Sequence, residues 1–168
     1  TRPTASSAGR SAAARTTINV NSVNDQPAFA GLDNTPTFTS GGSAVVLDSN
    51  PVIADAELDA ANNYNGATLT LVRNGGANGN DVFNGSGTLN ALVESGSLVV
   101  GGTTIGTVTT NSGGTLVLTF NGNATTARVN SALQQLTYAN SNGTPPANVQ
   151  IDFTFNDGNA GAQGSGGA

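Results

Sequence analysis

Cysteine, histidine, methionine, tryptophan and lysine are all absent from this chain of 168 residues. Without cysteine and histidine there are no disulfides, no thiolate or imidazole ligands for a metal, and no Ser-His-Asp or Cys-His catalytic arrangement. Only carboxylates, hydroxyls and amides remain for chemistry. The sequence therefore predicts that the protein is not an enzyme.

Charged residues are also scarce, at 9% of the chain, and the formal net charge is −5. Three of the five arginines, Arg2, Arg10 and Arg15, lie near the start, and the other two are far apart in the sequence. Binding to a phosphate backbone depends on clustered basic side chains, so nucleic acid is not an expected partner. Solubility must come from Asn, Thr, Ser and Gly.

Long hydrophobic runs are missing as well, since no apolar run exceeds five residues. A helix that crosses a bilayer needs about 20 such residues, so membrane insertion is not expected. Residues 1–15 are rich in Arg, Ser and Ala and contain no acid. We interpret 1–15 as a flexible leader or linker rather than a transit peptide, and 161–168 as a glycine-rich tail.

Short alternating segments fill residues 27–160, which we take as one domain. In 67–73, for example, Leu69 and Leu71 point to one side while Thr68 and Thr70 point to the other, as in a half-buried strand. Gly-Gly pairs at 101–102 and 113–114 are typical of hairpin turns. Strands are predicted at 36–39, 43–47, 51–54, 67–73, 81–83, 88–92, 97–100, 103–109, 115–120, 136–139 and 149–155.

One segment has a helical period instead. In 125–135 and just beyond, Val129, Leu133 and Leu136 recur at i, i+4 and i+7. The pattern predicts one short amphipathic helix, with Asn123 or Thr125 as its N-cap. Together with the strands, it predicts an all-β sandwich of seven to nine strands with one short helix.

Residues 16–27, TTINVNSVNDQP, combine a strand pattern with a junction. Ile18 and Val20 alternate with Thr17, Asn19 and Asn21, and Val23 leads into Asn-Asp-Gln-Pro. This VNDQP motif resembles the Val-Asn-Asp-X-Pro junction between tandem cadherin-like, immunoglobulin-like repeats of large bacterial surface proteins and adhesins. The segments ADAELDAANNYNGATLTLVRNGGANGNDVF and LQQLTYANSNGTPPANVQIDFTFNDGN resemble one repeat of the same family.

The resemblance implies an immunoglobulin-like or cadherin-like β-sandwich at the bacterial surface. In such repeats a strand similar to TTINVNSVND follows the DGN segment, whereas here it comes first. We therefore expect 16–26 to act as a donor or closing strand and junction, and 27–160 to form a sandwich that lacks its last strand. An incomplete sheet leaves a hydrophobic groove and an unpaired edge, which another strand can fill.

Strand donation is the main hypothesis. Thr17, Ile18, Val20 and Val23 would enter the groove of a neighbouring copy and build a head-to-tail filament by β-augmentation. Two alternatives stay open: the segment completes its own domain, or the chain is a fragment of a tandem array.

Acidic residues form a second pattern. Asp55, Glu57 and Asp59 alternate after a predicted strand, while Asp25 and Asp157 lie near the two ends of the domain. The resemblance implies a calcium ion at the joint between repeats, and carboxylate oxygens are suitable ligands for calcium. Solvated turn carboxylates are the alternative. Two other patterns do not indicate a site. The glycine-rich 75–81 segment suggests a β-roll calcium repeat, but it occurs only once. The carboxylates Asp81 and Glu94 suggest glycosidase chemistry, but the pair lacks aromatic sugar platforms.

The functional expectation is an extracellular structural building block whose partners are copies of itself or adjacent repeats. The alternative is a stalk or ligand-binding module of a calcium-dependent adhesin, which would hold a glycan or a surface protein through loops 60–66 and 141–147.

Overall fold

A computed structural model describes residues 13–18 and 24–158. The described residues form ten strands and two helices: β1 (Ala28–Ala30), β2 (Val45–Val46), β3 (Val52–Ala54), α1 (Ala56–Ala61), β4 (Thr68–Arg73), β5 (Asp81–Gly85), β6 (Ser97–Val100), β7 (Thr103–Ser112), β8 (Thr115–Phe120), α2 (Thr126–Leu133), β9 (Leu136–Asn140) and β10 (Ile151–Asn156).

The strands form three antiparallel sheets. The largest has the order β10-β4-β8-β7-β6, the second has the order β2-β9-β5, and β1 pairs with β3. Buried side chains of all three sheets and of α2 belong to one hydrophobic core. The predicted all-β class is confirmed, although the described residues form ten strands rather than the seven to nine predicted.

The centre of the five-stranded sheet follows the alternation in the sequence. Leu69 and Leu71 of β4 and Leu116 and Leu118 of β8 are fully buried, and they face one another in register. Thr70 of β4 and Val117 of β8, which lie between them, are on the other face and are half-buried. Burying one leucine contributes about 1.5 to 3 kcal/mol, so these four side chains account for a large share of the core energy.

Both predicted glycine turns are present, and Gly114 shows why glycine is required. It has a φ of +80°, and a Cβ there would lie 1.9 Å from the carbonyl oxygen of Asn78. Its neighbour Gly113 has a φ of +61° but open space around it. The β7–β8 turn is therefore packed closely against the loop before β5.

The predicted helix is confirmed as α2. Thr125 is its N-cap and accepts a hydrogen bond from the backbone N–H of Arg128. The buried residues Val129, Ala132 and Leu133 share the face that packs on the core. The amphipathic period thus located the element to within two residues at its C-terminal end.

The expectation of a single helix was wrong, because 56–61 forms α1. Asp55 caps it by accepting hydrogen bonds from the N–H groups of Glu57 and Leu58. The helix ends at Asn62, which adopts a left-handed conformation with a φ of 48°. Its six residues are too few to show an apolar period, and none of them is fully buried.

Two predicted strands are absent from the described residues, at 36–39 and at 88–92, where only Leu89 forms an isolated bridge to Val100. In the second case a side chain takes two of the backbone donors of the segment. Gln135 Oε1 accepts hydrogen bonds from the backbone N–H groups of Thr88 and Leu89. Backbone donors satisfied in this way are not available to a sheet.

A buried polar cluster joins the two larger sheets. Arg73 of β4 makes a bidentate ion pair with Asp81 of β5, whose side chain is fully buried. Tyr138 of β9 donates its hydroxyl to Asp81 at 2.7 Å, and Asn140 donates to the same carboxylate at 2.9 Å. The carboxylate therefore has partners on both sheets.

Candidate functional site

An open groove of about 880 Å³ lies beside β10. One wall is β10 with the residues just before it, and the other is formed by residues 32–38, β2 and part of β9. The lining is mixed: its apolar part includes Leu32, Phe38, Leu47, Val149, Ile151 and Phe153, and polar side chains such as Asn34, Asp48 and Asp152 line it as well. Several of these hydrophobic side chains are only half-buried against the core.

The strand that borders the groove is at the edge of its sheet. β10 pairs with β4 on one side, with Phe153 opposite Leu71 and Thr154 opposite Thr70. Within the part of the chain that the structure describes, no strand pairs with its other side. Unpaired backbone N–H and C=O groups on such an edge are a template for another strand.

The C-terminal end of β10, called the upper end below, is covered by aromatic contacts; the N-terminal end is the lower end. Phe155 has ring contacts with Phe29, Tyr64 and Phe120 at centroid distances of 6.5, 5.8 and 6.1 Å. Phe153 also contacts Phe29, but it lines the groove as well. The open part of the groove therefore lies alongside residues 149–153 rather than Phe155.

The predicted assembly strand is described only in its first residues. Thr17 and Ile18 are exposed, and 78% of the Ile18 surface is accessible to solvent. Residues 13–18 belong to no strand. Val20 and Val23 lie outside the described residues, so the strand remains a prediction.

The five predicted metal ligands come from three separate parts of the sequence, and several of them meet at one end of the structure. Asn24 donates a hydrogen bond of 2.6 Å to Asp157, across 133 residues of sequence. The backbone N–H of Asp25 donates to Glu57 Oε2 at 3.2 Å. The junction motif, α1 and the end of β10 are thereby held together.

Asp55 is the most constrained of these carboxylates. Its Oδ1 accepts two backbone hydrogen bonds at the start of α1, whereas its Oδ2 is buried and has no hydrogen-bond partner. Burial raises the pKa of Asp55, and the charges of Asp157 and Glu57 raise it further, against the lowering effect of the backbone donors. A cation or a proton at Oδ2 would relieve this unfavourable position.

Asp59 has a structural role. It accepts hydrogen bonds from the Tyr64 hydroxyl at 2.7 Å and from the Thr126 hydroxyl at 2.8 Å, so it connects α1 to α2. Burial acts to raise the pKa of Asp59, but these two hydrogen bonds outweigh it and the pKa lies below its ordinary value. Its Oδ1 is thus already engaged with protein donors.

Within residues 13–18 and 24–158, no group of three or more acidic side chains is arranged to hold a metal ion. Calcium binding by Asp25, Asp55, Glu57, Asp59 and Asp157 therefore stays a prediction. The carboxylates of the glycosidase-like pair are both engaged elsewhere, Asp81 with Arg73 and Glu94 with the N–H of Asn111.

Sequence reasoning named a donor strand but not the residues that would receive it. Phe38, Leu47 and Ile151 come from distant parts of the chain, and only folding brings them together as walls of the groove. The strong alternation of 149–155, with a large apolar residue at every second position, was the available signal.

None of the described helices is both long and apolar enough to cross a membrane. The chain was compared with protein-family models, with curated proteins and with solved structures, and none of the three comparisons found a match.

Proposed function

We propose that this protein is an extracellular structural building block that assembles head to tail, with residues 16–23 of one copy added to β10 of the next. The observation that supports the proposal most directly is the edge of β10, which is unpaired among the described residues and lies against an open groove with Phe38, Leu47 and Ile151 in its lining.

The segment 16–23 has the pattern that the groove requires. In an extended strand, Ile18 and Val20 would lie on one face and polar residues on the other. Ile18 is 78% exposed, so its burial in a neighbour would contribute about 1.5 to 3 kcal/mol before entropic losses. Main-chain hydrogen bonds to β10 would add affinity without requiring any charged contact.

Assembly by this contact is heterologous, because the donor segment and the groove are different surfaces of the same chain. Such contacts continue into a fibre unless the geometry closes a ring. The scarcity of charge and the absence of cysteine and lysine suit a protein whose surface is neutral and hydrated. The proposed location is the bacterial cell surface or the extracellular space.

The decisive experiment compares the intact chain with Ile18→Asp by size-exclusion chromatography and electron microscopy, with Thr17→Asp as the matched control on the opposite face of the strand. We expect filaments from the intact chain and from Thr17→Asp, and none from Ile18→Asp. A monodisperse intact monomer would refute assembly. If Ile18→Asp then lowered the stability of that monomer, the segment would be completing its own domain.

A second function is favoured by the unpartnered Oδ2 of Asp55. In this alternative the domain is a stalk or ligand-binding module of a calcium-dependent adhesin, and Asp55, Asp157, Glu57 and Asp25 would hold the ion at the junction. Bound calcium would supply positive charge to Asp55, whose pKa is raised by burial and further by the charges of Asp157 and Glu57.

Thermal unfolding with calcium and with a chelator tests this alternative. We expect calcium to raise the unfolding temperature of the intact chain and to have little effect on Asp55→Asn, which keeps the helix cap but loses the charge. An equal response of both proteins, or no response of either, would exclude Asp55 as a ligand.

A further inference from the structure

We infer that the donated strand runs antiparallel to β10 of its neighbour, with Ile18 opposite Phe153 and Val20 opposite Ile151. The inference rests on the proposed function and adds the direction and the register of the contact. Both follow from the shape of the groove and from the position at which the donor segment leads into its own domain.

The direction of the donated strand follows from the end of β10 at which Asn24 lies. Asn24 is bonded to Asp157, directly after β10, so each chain enters its own domain at the upper end of its β10. Residue 24 comes immediately after the donor segment. A strand parallel to the neighbour's β10 would end at that neighbour's own entry pole, and the two domains would compete for the same space. An antiparallel strand ends at the opposite pole and leaves room for the next domain.

Register is restricted first by the alternation of side chains. Phe153 lies opposite the buried Leu71, so Ile151 and Phe153 are on the core face of the sheet, whereas Asp152 and Thr154 are on the other face, although both also border the groove. Directly opposed residues in an antiparallel pair share a face, so the apolar donor positions must oppose odd-numbered residues of β10. A slip of one residue would turn Ile18 out to solvent, so only steps of two residues remain.

The shape of the groove selects among those steps. A shift toward the upper end would place Ile18 opposite Phe155, where the rings of Phe29 and Tyr64 already pack. That part of β10 does not line the groove.

A shift toward the lower end would place Val20 opposite Val149 and bring the last donor residues beside Pro145 and Pro146. Proline has no N–H to donate, so the ladder would lose hydrogen bonds there. The register with Ile18 opposite Phe153 places both apolar side chains against β10 itself.

Engineered cysteine pairs test the register, because the natural chain contains no cysteine and every disulfide would report the chosen pair. The inferred register opposes Thr17 to Thr154, while the two shifted registers oppose Thr17 to Asp152 or to Asn156. Opposed residues lie about 4.5 to 5.5 Å apart between Cα atoms, within the range that a disulfide spans. The three double variants differ only in the acceptor position.

After mild oxidation, we expect Thr17→Cys/Thr154→Cys to convert most of the chain into covalent dimers and larger species, and the other two pairs to convert little. Mixing Thr17→Cys chains with Thr154→Cys chains must also give the covalent dimer, which shows that the link joins two copies. A second pair, Asn21→Cys with Gln150→Cys, forms only if the strands are antiparallel.

Filaments that cross-link best through Asp152 or Asn156 would overturn the register and leave the proposed function standing. Cross-linking of the Thr17 and Thr154 pair without the Asn21 and Gln150 pair would overturn the direction. If no pair joined two copies and no filaments formed, the proposed function itself would fail.

Discussion

Replacing Arg73 by methionine should destabilise the protein strongly. Methionine keeps much of the aliphatic volume but removes the bidentate partner of Asp81, whose side chain is fully buried. The carboxylate would keep only the neutral donors Tyr138 and Asn140. An uncompensated charge would then remain between the two larger sheets.

The magnitude follows from what the carboxylate loses. Removing one partner of a buried ion pair costs about 3 to 5 kcal/mol, and the 17% exposure of the Arg73 side chain places the effect toward the lower end. We expect a loss of about 3 kcal/mol in the free energy of unfolding. For a domain of this size, that corresponds to a fall of roughly 10 °C in the unfolding temperature.

Urea unfolding of a double-mutant cycle is the appropriate assay. Asp81→Asn removes the charge but keeps an oxygen that can accept from Tyr138, and Arg73 is exposed enough to reach solvent. The double variant should therefore be more stable than the sum of the two single losses predicts, by about 1 to 3 kcal/mol. Strict additivity would show that the ion pair does not hold the sheets together.

Two further predictions concern a buried carboxyl and a turn. The raised pKa of Asp55 means that the folded state favours the neutral carboxyl. The stability gained from this preference is lost as pH rises from the ordinary carboxyl pKa of about 4 through the raised value. With a chelator present, Asp55→Asn should therefore gain stability relative to the intact chain as pH rises through that window, and a difference that does not change with pH would contradict this. Gly113→Ala should cost about 1 kcal/mol for its positive φ. Gly114→Ala should cost at least about 2 kcal/mol more in urea unfolding, because its Cβ would also strike a backbone carbonyl, and equal losses would refute the close approach.

Elements with many periods of alternation were the ones that the sequence predicted well. In β8, six consecutive residues alternate between buried and half-buried, and the predicted and observed bounds agree. In α2 the buried residues Val129, Ala132 and Leu133 recur at i, i+3 and i+4, a spacing that a helix places on one face and a strand does not. Local pattern and burial agree in these segments, so local rules suffice.

Segments organised by single side chains were not predictable in the same way. The helix α1 depends on the cap by Asp55. In the 88–92 segment, the backbone N–H of Leu89 donates to Gln135, which lies 46 residues further along the chain. The contact between Arg73 and Asp81 likewise depends on how two sheets approach each other. Such contacts follow from the tertiary fold, and no periodic signal precedes them.

The hydrogen bond between Asn24 and Asp157 also has a mechanical consequence. If tension on the chain ahead of residue 24 pulls along the axis of β10, this bond passes it to the residue that directly follows the strand. The antiparallel ladder between β10 and β4 is then loaded in shear, with its residue pairs sharing the force at once rather than opening one after another. A domain anchored in this way is suited to resist extension along that axis.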